Sequence, residues 1–118
     1  MPWILLKKIW PNTGNSSNSS GNVTTTTDYL FDLSEFEVFG TRSYANQYEQ
    51  NYQLQYDYYK AGNTKIANNH TAVTTAVWWG LRSPNCNNDN SFVIVWTDGY
   101  TSNNTAINSG GLRPGFAA

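Results

Sequence analysis

The feature that most constrains the fold is an apolar run that ends in a turn signal near the C-terminus. Phe92–Thr97 has apolar side chains in both alternating sets, which is typical of a central strand covered on both faces. Asp98-Gly99 follows, which predicts a two-residue hairpin turn of the primed type and a returning strand at Tyr100–Asn103. One face of the first strand should carry Phe92, Ile94 and Trp96, and the other Val93, Val95 and Thr97.

Two kinds of sequence alternate around this hairpin. Aromatic and aliphatic stretches with Gly, Pro and Arg, such as Trp78–Pro84 and Gly110–Phe116, suit strands and tight turns. Stretches dominated by Asn, such as Asn85–Asn90, cannot build a core and should lie on the surface. A rigid scaffold that displays polar loops is typical of a binding surface. We assign six residues to the scaffold, with Trp78 in its core: Trp78, Arg82, Pro84, Arg113, Pro114 and Phe116.

The composition favours recognition over several other functions. Of the 118 residues 15% are aromatic, with 5 Trp and 8 Tyr, and these give rigid contact area while Asn and Ser give adaptable hydrogen bonds. A net charge of -1 with 13% charged residues provides no electrostatic basis for binding nucleic acid. The apolar run Trp3–Ile9 is too short to span a bilayer and lacks the order of a classical signal peptide. We therefore expect no nucleic-acid partner and no membrane insertion.

No group of side chains in the sequence indicates an enzyme. Cys86 is the single cysteine, which excludes an internal disulfide, and we interpret it as an incidental surface thiol. His70 has no second His or Cys to complete a metal site or a nucleophile-base pair. Glu35 and Glu37 could be paired catalytic carboxylates, but acids in a first helical turn are favoured by its unpaired amides and dipole. We expect neither catalysis nor a cofactor.

Two helices are expected to support the sheet. Ser34 and Glu37 form a capping box, which predicts a brief helix that ends at Gly40. Over Tyr44–Ala61 the tyrosines recur every three or four residues, which predicts a second, longer helix that ends before Gly62. Its tyrosine face should pack on the sheet.

The N-terminal part is expected to differ from the rest of the chain. Trp3–Trp10 suggests a strand or an extended arm, and residues 12–22 are a polar linker rich in Asn and Ser. Residues 1–27 would thus be an arm and linker, and residues 28–118 the folded domain. That domain should begin with a strand at Tyr29–Leu33 and end with one at Leu112–Ala117, which returns the terminus to the sheet.

Four blocks of the sequence resemble, in order, a domain of unknown function from prophages and gut bacteria, whose members include variable proteins of diversity-generating retroelements. The blocks are DYLFDLSEFEVFG at Asp28–Gly40, YDYYKAGN at Tyr56–Asn63, WWGLRSP at Trp78–Pro84 and GLRPGF at Gly111–Phe116. The resemblance implies an α+β, C-type lectin-like fold of the formylglycine-generating-enzyme branch. Such a fold has a small mixed or antiparallel sheet with two supporting helices, and a variable ligand-binding face near the C-terminus.

The resemblance also suggests which residues bind the ligand. In retroelement systems a reverse transcriptase mutates adenines of a template repeat, and Asn codons are preferred targets. The asparagines here stop where scaffold residues resume, although turn propensity also explains exposed Asn. We expect aromatic side chains to anchor the ligand and amides to make adaptable contacts. The predicted ligand-binding residues are Trp79, Asn85, Asn87, Asn88, Asp89, Asn90, Trp96, Tyr100, Asn103, Asn104 and Asn108.

The metal-binding motifs of related folds are incomplete in this sequence. Calcium-dependent lectins pair an acidic-Pro-Asn motif with a Trp-Asn-Asp motif. Here Ser83-Pro84-Asn85 lacks the acid and Trp96-Thr97-Asp98 lacks the middle Asn. Formylglycine-generating enzymes use a cysteine pair for copper, and this chain has Cys86 alone. We therefore expect no metal.

The function implied by the resemblance is a non-enzymatic receptor-binding domain. It would be a phage or prophage tail-tip adhesin diversified by a retroelement, located on the virion tail or the bacterial cell exterior. Its partner would be a bacterial cell-surface protein or glycan, and analogy with tail fibres suggests a homotrimer. The alternative is a structural tail or baseplate module without a variable ligand site, whose N-terminal arm and aromatic surface contact other tail proteins.

Overall fold

The computed structural model describes residues 5–9, 24–88, 90–105 and 107–116. These residues form a small mixed α+β domain with antiparallel sheets and two short α-helices. The elements in chain order are β1 (Leu5–Ile9), β2 (Thr24–Asp28), β3 (Leu30–Phe31), α1 (Glu35–Phe39), a 3₁₀ helix (Gln47–Asn51), α2 (Asp57–Lys60), β4 (Ala67–Asn68), β5 (Ala76–Val77), β6 (Trp79–Pro84), β7 (Ser91–Val95), β8 (Thr101–Thr105) and β9 (Gly115–Phe116).

At the N-terminus, β1 and β2 pair as an antiparallel hairpin, with Leu5 opposite Asp28 and Ile9 opposite Thr24. The Thr-rich sequence of β2 suits a strand, because Thr is β-branched. The strand interpretation of Trp3–Trp10 is therefore confirmed over the residues of β1. Both tryptophans and the polar linker at 12–22 lie outside the described residues.

The centre of the fold is the antiparallel sheet β6-β7-β8, in which β7 is the middle strand, as the apolar run predicts. Val93 and Val95 are fully buried on one side of β7, which we call the inner face. The opposite side, the outer face, carries Phe92, Ile94 and Trp96. In the register of the sheet, Ile94 lies between Gly80 of β6 and Ser102 of β8, and Phe92 lies opposite Asn104.

The hairpin between β7 and β8 is confirmed, but the predicted two-residue turn is wrong. The Gly99 N–H donates to the Trp96 carbonyl at 2.9 Å, and the Trp96 N–H donates to the Tyr100 carbonyl at 2.8 Å. Gly99 has a φ of 85°, whereas no described non-glycine residue has a positive φ. A primed turn would require Asp98 to have one. The chain instead makes a three-residue loop with glycine at the left-handed position.

The first helix is confirmed as the capping box predicts. The Ser34 Oγ accepts the Glu37 N–H at 3.1 Å, and the Glu37 carboxylate accepts the Ser34 N–H at 2.9 Å. The helix ends at Gly40, whose N–H donates to the Phe36 carbonyl at 2.8 Å. Both signals are local in sequence, which is why they predict the helix correctly.

The long helix predicted over Tyr44–Ala61 is wrong. That segment contains the short 3₁₀ helix and α2, separated by a turn and an extended stretch. The tyrosines consequently share no common face: Tyr59 is buried, whereas Tyr52 and Tyr58 are exposed.

Contacts with α1 account for the extended stretch. The Tyr56 N–H donates to the Glu37 carbonyl at 2.9 Å. The Gln55 side-chain amide donates to the Val38 carbonyl at 3.1 Å. The last carbonyls of a helix have no partner within it, so a neighbouring extended segment that supplies donors is favoured over continuing a helix of its own.

The C-terminal strand is shorter than predicted. β9 pairs antiparallel with β3, which forms a separate two-stranded sheet. The chain contacts the central sheet earlier, where the Gly111 N–H donates to the Trp78 carbonyl at 2.8 Å and Gly111 bridges Trp79 in parallel. Among the described residues of the C-terminal segment, the prediction that the terminus returns to the main sheet therefore holds only at Gly111.

The core lies between the inner face of the central sheet and the helices. Its largest fully buried side chain is that of Trp79, whose indole N–H donates to the Lys65 carbonyl at 2.9 Å. None of the described helices is long and apolar enough to cross a membrane. The buried cluster comprises Phe31, Leu33, Val38, Ala45, Tyr59, Trp79, Leu81, Val93 and Val95.

Candidate functional site

Two adjoining grooves occupy the outer face of the central sheet. The first has a volume of about 370 Å³, and its walls include Trp78, Phe92 and Asn108. The second has a volume of about 340 Å³ and follows β8 from Trp96 to Asn104. Asn104 lines both grooves. They therefore form one continuous surface across the edge of the sheet.

Aromatic side chains stand exposed on this surface. Phe92 is 36% exposed, Trp96 is 42% exposed and Tyr100 is 73% exposed. The alternation of β7 explains the first two, because its other set of side chains fills the core. Ile94 between them is buried and forms the floor. Exposed aromatic area beside a buried floor is typical of a contact surface.

Two asparagines at the end of β8 form a fixed polar corner. The Asn104 Oδ1 accepts the Asn108 side-chain amide and the Thr105 N–H, the latter at 2.9 Å. The Asn108 amide also donates to the Thr105 Oγ1 at 3.0 Å. Because these amides bind one another, their remaining donors and acceptors are held in place for a ligand.

The loop from β6 to β7 places its asparagines differently. Asn85 is buried, and its Oδ1 accepts the Asn87 N–H at 2.9 Å. It therefore builds the turn, and its prediction as a ligand contact is corrected. Asn87, Asn88 and Asn90 are exposed at the end of the sheet where β8 also finishes. Asp89 lies outside the described residues.

The two adjacent tryptophans have the reverse of their predicted roles. Trp79, predicted to bind ligand, is fully buried and cannot reach a surface ligand. Trp78, predicted as a core residue, is only half-buried and lines the first groove. Its ring lies flush against the chain at Gly110, where an added Cβ would come within 2.2 Å of it.

The structure thus divides the predicted ligand-binding residues into three sets. On the outer face and along β8 lie Trp96, Tyr100, Asn103, Asn104 and Asn108. At the loop end lie Asn87, Asn88 and Asn90, while the interior holds Trp79 and Asn85. Phe92 and Trp78 line the site but were not predicted. The expected alternation of β7, which puts Phe92 on the same face as Trp96, was a signal that could have identified Phe92.

A buried carboxylate joins α1 to the edge strand β8. Glu35 is fully buried, and its carboxylate accepts the N–H groups of Ser43, Tyr44 and Ala45 at 2.8, 3.1 and 2.7 Å. It also accepts the Thr101 hydroxyl at 2.9 Å. These bonds occupy both oxygens, so Glu35 positions β8 and is not available as an acid or base.

The second acid of α1 has a structural role as well. The Arg82 guanidinium donates to both oxygens of Glu37, at 2.7 and 2.8 Å, and to the Asp32 carbonyl at 2.8 Å. This bidentate pair fastens β6 to α1 and supplies the partner that a buried arginine needs. Arg82 therefore belongs to the scaffold, as predicted from the sequence.

The other predicted scaffold arginine packs on aromatic rings. The Arg113 guanidinium carbon lies 5.5 Å from the ring centre of Trp79 and 5.8 Å from that of Tyr59. Cations over aromatic faces are stabilised by the ring quadrupole. Arg113 thus connects the C-terminal segment to the core.

A third acid is buried beneath β6. Glu49, on the 3₁₀ helix, is 1% exposed and accepts the Ser83 hydroxyl at 2.8 Å and the Phe36 N–H at 3.2 Å. Burial raises the pKa of its carboxyl to about 7, against the hydrogen bond from Ser83 and the charge of Arg82, which lower it. Across the described part of the chain, no three His, Cys, Asp or Glu side chains are grouped to hold a metal ion.

Comparison with known proteins gives one match. The sequence profile of a family described as a domain of unknown function (DUF6273) matches residues 4–117. The comparisons with curated proteins and with solved structures find no significant match.

Proposed function

The chain belongs to the DUF6273 family, and we propose that this member is a non-enzymatic domain that binds its ligand on the outer face of the central sheet. One observation carries the proposal: exposed Phe92, Trp96 and Tyr100 adjoin Asn104 and Asn108 in two contiguous grooves. Rigid aromatic anchors among adaptable amides are the composition of binding surfaces.

The buried acids favour binding over catalysis. The carboxylate oxygens of Glu35 and Glu37 accept hydrogen bonds from backbone N–H groups and from Arg82. Glu49 has a raised pKa, but it is 1% exposed and lies beneath the sheet. A general acid or base must reach the proton that it transfers. These carboxylates are better explained as the supports of a rigid face.

The more specific proposal is a phage or prophage tail-tip adhesin with a C-type lectin-like fold, diversified by a retroelement, whose ligand is a bacterial surface protein or glycan. The four sequence blocks support it, together with asparagines grouped beside one face of a helix-supported sheet. The nucleotide sequence tests the retroelement. A near-identical repeat with adenines at the codons of Asn85–Asn108, beside a reverse transcriptase gene, is expected; without such a repeat the protein would be a fixed adhesin or a tail module.

Binding can be tested with two exposed tyrosines. Tyr100 is 73% exposed on the proposed site, whereas Tyr29 is 53% exposed away from it. Against glycan arrays and whole bacterial cells, Tyr100→Ala should weaken binding by roughly tenfold or more, as loss of an aromatic anchor does. Tyr29→Ala should bind as the wild type does. Equal binding by all three proteins would rule out the outer face as the site.

A second candidate, a structural tail or baseplate module, is favoured by the β1–β2 hairpin. The hairpin forms a sheet of its own, and isolated two-stranded hairpins are marginally stable in water. It could therefore be completed by another tail protein. Light scattering on the chain with and without residues 1–27 tests this function, since assembly that depends on those residues would support it over the adhesin.

A further inference from the structure

Within the described parts of the chain, the edge of the central sheet at β8 is open. β8 is the last strand in the order β6-β7-β8, and no other described strand pairs with it. Its sequence, TSNNT, has no charged residue and no proline, and its register with β7 has no bulge. Charges, prolines and bulges are the devices by which edge strands avoid pairing with other chains. This edge has none of them.

The hairpin fixes which backbone groups of β8 face the open edge. Trp96 and Tyr100 are a hydrogen-bonded pair, and such pairs alternate along an antiparallel ladder. Ser102 and Asn104 therefore bond to β7 through their backbones. Thr101, Asn103 and Thr105 direct theirs outward.

Local bonds already occupy one of these three residues. The Thr105 N–H donates to the Asn104 side chain, and the Thr105 carbonyl accepts the Asn108 N–H. Thr101 and Asn103 thus offer the outward N–H and C=O groups suited to a new strand. These two outward-facing residues, separated by one position, can pair with the same two residues of a second copy. An antiparallel copy can place its Asn103 opposite Thr101 and its Thr101 opposite Asn103.

We propose that β8 pairs antiparallel with β8 of a second copy of this chain, about a twofold axis at Ser102. Each Thr101 then exchanges both backbone hydrogen bonds with Asn103 of the partner subunit, and the two sheets become one. A contact that uses the same surface on both copies closes as a dimer.

The pairing extends the outer face across both copies. With Ser102 opposite itself, Asn104 lies opposite Tyr100 of the partner subunit, on the same side of the joined sheet. The groove along β8 then continues into its counterpart. The proposed dimer does not depend on the proposed binding function, because its tests measure the association of the chains in the absence of any ligand.

Disulfide cross-linking tests the register, in a background where native Cys86 is replaced by Ser. Ser102→Cys places two thiols on a directly opposed, non-hydrogen-bonded pair, whose Cα atoms are about 4.5 Å apart and within disulfide range. Asn104→Cys is the matched control on the same face, because its thiol faces Tyr100 of the partner subunit. Mild oxidation should convert most of Ser102→Cys to a covalent dimer and leave Asn104→Cys without a disulfide between the two copies. Equal cross-linking, or none, overturns the proposal.

A proline variant tests the edge itself by light scattering. Asn103→Pro removes an N–H that points away from β7, which edge strands tolerate. It should have half the mass of the wild type, whereas Asn103→Ala keeps the N–H and should remain a dimer. Circular dichroism confirms that both variants fold. A monomeric wild type at the highest soluble concentration, or a folded Asn103→Pro dimer, shows that β8 is not the interface.

Discussion

At the scale of single residues, Trp78 and Trp79 show how one step along the chain changes the role of a residue. Trp79 shares its set with Leu81, and both are buried, while the alternate positions are Gly80 and Arg82. The alternation alone does not say which set faces the core. In addition, β6 shifts its register between Gly80 and Pro84, and an irregular strand weakens any assignment of faces.

The free energy of unfolding should separate the two tryptophans. Trp79→Ala removes a fully buried indole and its bond to Lys65, so it should cost about 3–5 kcal/mol. Trp78→Ala should cost clearly less, because its ring is half-buried over Gly110, and it should instead change ligand binding. Denaturant unfolding of both variants measures the difference. An equal or larger loss for Trp78→Ala would contradict the assignment.

At the scale of elements, local sequence signals correctly predicted those elements whose position is determined by local contacts. The capping box places α1 correctly, and Asp98-Gly99 places the hairpin. The tyrosine periodicity failed because the segment after the 3₁₀ helix is held by α1, through Tyr56 and Gln55. The residue pattern of that segment does not reveal that its hydrogen-bond donors bind to α1.

The 3₁₀ helix should make the stability of the fold depend on pH. Burial raises the pKa of Glu49 from 4.5 to about 7 in the folded protein. The folded state therefore binds the proton more tightly than the unfolded state, so the stability that Glu49 contributes is fully present below pH 4.5 and is lost as the pH rises through 7. The loss contributed by this group should reach about 3 kcal/mol.

Thermal and denaturant unfolding between pH 4 and 8 measures this dependence. Glu49→Gln keeps the shape of the side chain without its charge, so it should remove most of the decline and be the more stable protein at pH 8. Asp57→Asn, at an exposed acid, is the control and should keep the wild-type profile. A Glu49→Gln profile that falls as steeply as the wild type would show that another group is responsible.

At the scale of the whole molecule, the central sheet separates support from recognition. Its inner face joins α1 and the 3₁₀ helix through Glu35 and Ser83, and its outer face carries the grooves. Sequence composition predicted that aromatics and asparagines would share a surface. It could not tell which asparagines turn inward, because Asn85 and Asn87 differ only in their position within one turn.

The loop from β6 to β7 allows this division to be tested. Asn87, Asn88 and Asn90 are exposed, so replacing all three with Ser should change the free energy of unfolding by less than about 1 kcal/mol. The same change should alter ligand binding, since these exposed side chains lie at the end of the sheet where β8 also finishes. Asn85→Ala should do the reverse: it removes a buried acceptor of the Asn87 N–H, and should cost about 1–3 kcal/mol. Thermal melts beside binding measurements distinguish the two. If the triple Ser variant unfolds the domain, the exposed asparagines are structural, and the binding surface ends at β8.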